Sequence, residues 1–265
     1  YVQDRDAGGD EAELVAEGDG WLTVGGWSPD NSRLIVSEAY SNFDQDVSVL
    51  DVETGEMTHL TPHDGTVRFQ SAEWGPDGEH VYLVSDRDSD TLDLWCVDVD
   101  SGAFSLVAAD TDWEIDGVAI DDESERIVYS TNVDGYTELT VGELAGPTTI
   151  ADPATPDIPR GVAGGVAFDS SGDRFAITVT RRSDPANVYV VDAETGETDR
   201  WTRAATAGIP RDSFVEPELV HYPTFDGREI PAFFTLPETD TGAGETPVIV
   251  DIHGGPESQR RPSFS

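Results

Sequence analysis

The feature that most constrains this sequence is a repeat with a period of about 47 residues. Three turn-like segments of the form Asp-x-x-Thr/Ser-Gly begin at Asp51, Asp98 and Asp192, which lie 47 and 94 residues apart. A weaker and slightly displaced copy occupies residues 143–146. A second landmark, an apolar residue before a Pro-Asp-Gly-like turn, recurs at intervals of 47, 46 and 48 residues, at Trp27, Trp74, Ile120 and Phe168. A period this constant predicts an array of similar supersecondary units.

Each repeat carries the same local pattern. A turn that favours Pro, Asp and Gly is followed by a β-branched run such as 33–37, an alternating run such as 47–52, and a short run such as 57–60. Four short strands joined by tight turns predict one β-propeller blade per repeat. Four full blades are predicted over 19–203. Because Gly8 lies 47 residues before Gly55, residues 1–18 are predicted to be part of an earlier blade, cut by truncation.

The periodic pattern stops after Trp201. Residues 215–237 predict two strands around Asp226-Gly227, a strong hairpin signal. A polar linker, 238–246, follows. The apolar run 248–252 then predicts a strand buried on both faces, as in an α/β sheet. The predicted division is therefore a propeller over 1–205 and the first part of an α/β-hydrolase domain over 206–265.

The repeats resemble the Trp-Ser-Pro-Asp-Gly propeller units of the bacterial translocation protein TolB and of prolyl oligopeptidase-family enzymes. From residue 216 the order Glu-Pro-Glu, strand, Asp-Gly, strand, Leu-Pro, linker, Pro-Val-Ile-Val, His-Gly-Gly-Pro is similar to the entry into a catalytic domain. That domain belongs to acylaminoacyl-peptidases and dipeptidyl-peptidase-like members of the prolyl oligopeptidase family. The resemblance, to a halophilic archaeal type, covers essentially the whole chain.

This resemblance implies a serine peptidase that hydrolyses short peptides and needs no cofactor, with the propeller controlling access to the site. It implies that His253, Gly254 and Gly255 form the oxyanion-hole loop, with Gly255 as an N–H donor. The nucleophile motif Gly-x-Ser-x-Gly is absent from the sequence. The triad is therefore expected beyond Ser265, in a chain truncated at both ends, and this chain alone is expected to be inactive.

Two other functions stay open at this point. A TolB-like propeller would bind a protein partner and carry no chemistry, and on the repeats alone it competes nearly evenly with the peptidase. An esterase or lipase of the same hydrolase fold would use a similar His-Gly-Gly loop. The sequence also leaves open whether a peptidase of this kind would remove single residues, dipeptides or acylated residues.

The charge of the chain limits its partners and its environment. There are 54 acidic residues against 15 arginines and no lysine, giving a formal net charge of −39. Nucleic acid is an unsuitable partner for such a field, and no apolar run is long enough to span a membrane. Acidic residues alternate with apolar ones, which favours a folded protein from the salty cytoplasm of an extreme halophile. A calcium-loaded acidic protein is the alternative.

Several smaller candidates for chemistry are interpreted as structural. Cys96 is the only cysteine and lies in a strand-like run, so it is predicted to be a small core residue. The run 86–90, Asp-Arg-Asp-Ser-Asp, lacks the Gly and Glu that an EF-hand calcium loop has at its sixth and twelfth positions. Surface or turn roles are predicted for His59, His63, His80 and His221. Arg160, Arg181 and Arg182 are candidates for binding a peptide carboxylate, although solvated ion pairs are favoured.

The acidic composition predicts stability that increases with salt. The Debye length falls from about 10 Å at 0.1 M to about 3 Å at 1 M, so self-repulsion is screened in the more concentrated solution. Raising KCl across this range should raise the thermal midpoint by at least about 4 °C, equivalent to roughly 1 kcal/mol or more. Calorimetry measures the shift. Sucrose at equal osmolality, which does not screen charge, should reproduce only a small part of it; an equal effect would contradict the electrostatic explanation.

Overall fold

Each sequence repeat folds into one sheet of four antiparallel strands, because every turn predicted within a repeat joins two neighbouring strands. The computed structural model describes residues 1–18, 20–237, 247–255 and 258–265. In the first two sheets the strands are β1 (Trp21–Trp27), β2 (Arg33–Ser41), β3 (Asp44–Asp51), β4 (Met57–His59), β5 (Phe69–Trp74), β6 (His80–Ser85), β7 (Asp93–Asp98) and β8 (Phe104–Ala108).

The remaining strands continue the same pattern. They are β9 (Glu114–Ile120), β10 (Arg126–Val133), β11 (Tyr136–Gly146), β12 (Thr149–Ala154), β13 (Val162–Phe168), β14 (Arg174–Arg181), β15 (Asp184–Asp192), β16 (Thr198–Arg200), β17 (Glu218–Pro223) and β18 (Glu229–Phe234). The first sixteen form four sheets in simple sequential order, and β17 pairs with β18 alone. The four predicted repeats and the Asp226-Gly227 hairpin are confirmed.

The middle strands of the second sheet are buried on both faces. Along β6, Val81 and Leu83 point into one apolar cluster, which also contains Ile35 of β2. Tyr82 and Val84, on the opposite face of β6, belong to another cluster, which contains Ile127 of β10. Because side chains alternate across a strand, one short strand supplies two cores. This face-to-face packing explains why the repeats contain near-continuous apolar runs.

The repeated Asp-x-x-Thr/Ser-Gly segments are explained by one hydrogen-bonded turn. The Asp51 carboxylate accepts bonds of 2.8 Å from both the backbone N–H and the hydroxyl of Thr54. Ser101 donates in the same way to Asp98, and Thr195 to Asp192. The following glycines have φ of 73°, 67° and 72°, a region that residues with a Cβ rarely adopt. The sequence repeat is therefore a repeat of turn chemistry.

The displaced repeat copy at 143–146 is not a turn. These residues complete β11, and the connection to β12 is Pro147-Thr148. The long β11 ends at Gly146, where the hairpin reverses.

Residues 1–18 contain one isolated antiparallel bridge, Val2 to Glu13, and a short 3-10 helix, Gly9–Glu11. That they belong to an earlier blade stays a prediction.

The prediction of a strand buried on both faces at 248–252 is wrong for this structure. The segment has no strand conformation, and the side chains of Val248, Ile249 and Ile252 are 82%, 92% and 82% exposed. A strand needs a hydrogen-bonding neighbour, and none of the described strands pairs with this segment. The segment is apolar, but the neighbouring strands and helices that would cover it in an α/β sheet are not among the described residues.

Contacts along the chain divide it into two compact units. The first contains 1–131, 139–155 and 170–173, and the second contains 132–138, 156–169 and 174–265. The second unit therefore includes the fourth sheet, the β17–β18 hairpin and the tip of the β10–β11 hairpin. The predicted domain division at 205 and 206 stays a prediction. Among the described residues no helix is long and apolar enough to cross a membrane.

The first repeat turn is held together by Asp30. Its Oδ1 accepts hydrogen bonds from the hydroxyls of Ser28 and Ser32, at 2.7 and 2.8 Å. The Ser28 hydroxyl in turn accepts a bond from the backbone N–H of Arg33, at 2.9 Å. The hydrogen bonds from Ser28 and Ser32 stabilise the charged carboxylate and lower the pKa of Asp30 to about 2.

This lowered pKa predicts a contribution to stability that depends on pH. A carboxylate with a depressed folded-state pKa stabilises the fold above its unfolded pKa of about 3.9 and loses that contribution as pH falls. As the pH falls from about 4 to about 2, the free energy of unfolding of the wild type should therefore lose the contribution of the Asp30 carboxylate. Asp30→Asn lacks this contribution at every pH. Thermal unfolding across this range measures it. Asp100→Asn, at an exposed turn position, should follow the wild-type pH profile; the same profile in Asp30→Asn would contradict this role of Asp30.

Candidate functional site

The predicted oxyanion-loop residues lie at the surface of the second unit. His253, Gly254 and Gly255 are all exposed, and the Nδ1–H of His253 donates to the Gly254 carbonyl at 2.7 Å. A Cβ at Gly254 would meet no atom within 4 Å. The role of these residues in an oxyanion hole stays a prediction, because the described residues bring no nucleophile or base to them.

An exposed ion pair flanks the loop. Asp251 accepts from Arg260, with 2.6 Å between the carboxylate and the guanidinium. The hydrogen bond from Arg260 lowers the pKa of Asp251, and the charge of Arg182 adds to the effect. The ion pair favoured by the sequence for Arg182 stays a prediction. An exposed pair of this kind is screened by water and salt and contributes little to stability.

The tip of the β10–β11 hairpin, residues 132–138, belongs to the second unit and is a tight two-residue turn. Asp134 and Gly135 have φ of 51° and 83°, the left-handed conformations that a two-residue type I′ turn requires. The backbone N–H of Gly135 donates to the Asn132 side chain at 3.0 Å. A Cβ on Gly135 would lie 3.3 Å from Phe233. Both the turn and the close ring therefore favour glycine.

Segments distant in the sequence converge on this hairpin tip. Asn132 donates to Gln259 at 2.9 Å, and Arg261 donates to the Gly135 carbonyl at 2.9 Å and to the Thr137 hydroxyl at 3.0 Å. Phe233 of β18 packs edge-on to Tyr136, with 5.8 Å between ring centroids. The tip is thus fixed to both the β17–β18 hairpin and residues 258–265.

The end of β14 is a second attachment point for residues 258–265. The backbone N–H of Phe264 donates to the Thr180 hydroxyl at 3.1 Å. The Phe264 ring packs edge-on to Phe214, with 5.1 Å between centroids. Arg181, the last residue of β14, forms an ion pair with Glu216 at 2.8 Å. Residues 258–265 are therefore held at both ends.

Arg160 differs from the other arginine candidates. Its guanidinium carbon lies 3.8 Å from the centroid of the Tyr136 ring, a distance typical of a cation–π contact. Within the described part of the chain no carboxylate is close enough to pair with it. The ion pair favoured by the sequence is thus found for Arg181 and not for Arg160, which leaves Arg160 exposed to an anion from outside.

The remaining candidate residues are either buried or lie beside a side chain of opposite charge. Cys96 is buried in β7 as predicted, and burial raises the pKa of its thiol to about 11. Asp86 accepts from Arg68 at 2.7 Å. Each of four histidines lies beside a carboxylate: His59 beside Asp46, His63 beside Asp44, His80 beside Asp77, and His221 beside Asp134. Among the described residues no group of three or more metal-binding side chains is placed to hold an ion.

Comparisons with known proteins identify the fold. No family model and no curated protein matches the sequence. A prolyl endopeptidase studied for inter-domain dynamics in catalysis and specificity matches with a TM-score of 0.70 and 18% identity, over 87% of this chain and 34% of that chain. The fold is that of the prolyl oligopeptidase propeller. The four four-stranded sheets are its blades.

Two further solved structures also match most of this chain at low sequence identity. Oligopeptidase B from Trypanosoma brucei, with covalently bound antipain, matches with a TM-score of 0.64 and 18% identity, over 86% of this chain and 34% of that chain. Prolyl oligopeptidase B from Galerina marginata, bound to a 35mer hydrolysis and macrocyclization substrate, matches with 0.63 and 16%, over 78% and 30%. The chain thus spans about a third of the length of the structures that it matches.

Sequence reasoning missed the contacts made by Tyr136, Phe233, Gln259 and Arg261. The Asp134-Gly135 dipeptide did signal a hairpin turn. Its partners, however, lie roughly a hundred residues away in the sequence, and no local pattern links them to it. Only a search for covarying pairs among homologues would have found these contacts before the structure.

The ring pair at Phe264 predicts a local loss of order on substitution. Phe264→Ala should accelerate hydrogen exchange at the amides of residues 258–265 and lower stability by about 1 kcal/mol or more, since an edge-to-face pair contributes about 0.5–1.5 kcal/mol beyond its buried area. Hydrogen-exchange mass spectrometry measures the effect. Phe225→Ala is the matched control, because Phe225 is fully exposed. Equal exchange in both variants would contradict the attachment.

Proposed function

We propose that this chain is the propeller, together with the entry into the catalytic domain, of a serine peptidase of the prolyl oligopeptidase family. The observation that carries the proposal is the match of 87% of the chain to a prolyl endopeptidase with a TM-score of 0.70. The His253-Gly254-Gly255 loop supports it from the sequence. The matched proteins are peptidases by name, and one of them, prolyl oligopeptidase B from Galerina marginata, is bound to peptide substrates in two structures.

The proposed reaction is acyl transfer through a serine ester. A serine oxygen attacks the scissile carbonyl carbon, the C–N bond breaks, and the leaving amine takes the proton that the base removed from the serine; water then hydrolyses the ester. The Gly255 N–H would stabilise the oxyanion, a contribution of about 3–4 kcal/mol for one donor. The serine, its base and the acid are expected beyond Ser265, so this chain alone should be inactive.

The propeller would act as a filter for substrate size. A narrow channel admits short flexible peptides and excludes folded proteins. The resemblance of residues 216–256 to acylaminoacyl- and dipeptidyl-peptidase-like enzymes favours removal of short N-terminal units, in the cytoplasm of an extreme halophile. Arg160 stacks on Tyr136 and has no carboxylate partner among the described residues, so it is a candidate ligand for the carboxylate of such a peptide.

The test is to translate the natural reading frame past Ser265, express the product at about 1 M KCl or above, and treat it with a fluorophosphonate label. Labelling together with cleavage of short peptides is the expected result, and the 265-residue chain should stay unlabelled. Absence of both a Gly-x-Ser-x-Gly motif and labelling would overturn the catalytic proposal and favour a TolB-like binding scaffold. Cleavage of short-chain esters in preference to peptides would favour an esterase.

Substitutions at Gly255 test the proposed role of its N–H in the active protein. Gly255→Pro removes the N–H donor, whereas Gly255→Ala keeps it. The proline variant should lose about 100- to 1,000-fold in kcat, as expected for one oxyanion donor, and the alanine variant should lose much less. Circular dichroism checks that both variants are folded. Equal activities would show that the Gly255 N–H is not the donor.

A further inference from the structure

Arg261 joins the hairpin tip to the segment that follows the predicted oxyanion loop. Its Nε–H donates to the Gly135 carbonyl at 2.9 Å, and an Nη2–H donates to the Thr137 hydroxyl at 3.0 Å. The side chain is partly buried, and the next residue, Pro262, is buried. A planar guanidinium with several fixed donors suits two acceptors on one turn. This contact therefore fixes orientation as well as distance.

Thr137 extends the connection into the fourth sheet. Its side chain is buried, and its hydroxyl also accepts from the backbone N–H of Ala163 at 3.0 Å. Its own backbone N–H donates to the Gly161 carbonyl at 2.9 Å. A series of hydrogen bonds thus runs from Arg261 through Thr137 to the first residues of β13. The attachment point of Arg261 is itself rigidly held.

The neighbouring arginine provides an internal comparison. Arg260 pairs with Asp251 at 2.6 Å, and both side chains are more than half exposed. Salt bridges of this kind contribute little to stability because water and salt screen them. Arg261 instead donates to a carbonyl and a hydroxyl on the hairpin tip. The two adjacent residues therefore have the same charge and different structural roles.

We propose that Arg261 is a positioning residue for the His253–Gly255 loop, holding it in register with the β10–β11 hairpin tip. The inference rests on the proposed peptidase function. Arg261 is six residues beyond Gly255, a span of at most about 20 Å even when fully extended. A displacement of only about 1 Å at a catalytic group can reduce a rate about 100-fold. Fixing the segment that follows the loop would limit such displacement.

The test uses the full-length enzyme and compares Arg261→Ala with Arg260→Ala. Activity is expressed per active site titrated with the fluorophosphonate, so that unfolded protein does not count. Arg261→Ala should lower kcat about 10- to 100-fold with little change in KM, the pattern of an interaction that matters in the transition state. Arg260→Ala should stay within about twofold of the wild type. Added guanidinium should partly restore Arg261→Ala.

Thr137→Val tests the other side of the contact, because it removes one of the two acceptors of Arg261, the Thr137 hydroxyl, while keeping the shape of the side chain. Its effect on kcat should not add to that of Arg261→Ala if the two residues act through one contact. Wild-type kcat per titrated site in Arg261→Ala, or additive losses in the double variant, would overturn the proposal. A merely structural role would lower the thermal midpoint and leave kcat per titrated site unchanged.

A failure of the peptidase function can be told apart from a failure of this inference. If the wild type neither labels nor cleaves, the proposed function falls, and with it the catalytic consequence for Arg261. Hydrogen exchange at residues 132–138 then decides whether the attachment exists: faster exchange in Arg261→Ala than in Arg260→Ala supports it. Normal labelling of the wild type together with unchanged exchange and unchanged kcat in Arg261→Ala would refute the attachment alone.

Discussion

The structure depends on apolar packing against both faces of the second sheet, whose middle strands β6 and β7 are almost entirely buried. In β6 the residues Val81 and Leu83 serve one core, while Tyr82 and Val84 serve the other. Apolar burial stabilises by roughly 25 cal/mol per Å², so a sheet with two buried faces gains nearly twice what a sheet with one solvated face gains. The same packing makes each sheet dependent on its neighbours. A single repeat would leave one or both faces exposed.

Turn chemistry sets where each strand must end. The aspartates at positions 51, 98 and 192 use their side chains to satisfy backbone and hydroxyl donors three residues later. These bonds are local, so they form the same turn in the first, second and fourth blades. Acidic residues in this protein therefore serve two purposes: some organise turns through fixed hydrogen bonds, and many others face solvent and give the chain its net charge of −39.

The contacts that bear on the proposed function join segments that are distant in the sequence and that the repeat pattern does not relate to one another. Phe233, Gln259 and Arg261 all contact the hairpin tip 132–138, and the repeat pattern predicts none of these contacts. The tip links a regular, repetitive part of the chain to the segment that carries the His253–Gly255 loop.

The sequence by itself determined the number of blades in this chain, the Asp-x-x-Thr/Ser-Gly turns of three of them, the buried position of Cys96 and the Asp226-Gly227 hairpin, because each follows from local periodicity or turn preference. The role of the His253-Gly254-Gly255 loop is implied by resemblance and stays a prediction. Tertiary structure alone decided that the apolar run 248–252 is exposed, since burial requires neighbouring strands. It alone brought Arg261 to Gly135 and Thr137, because contacts between residues more than a hundred positions apart depend on how the chain packs.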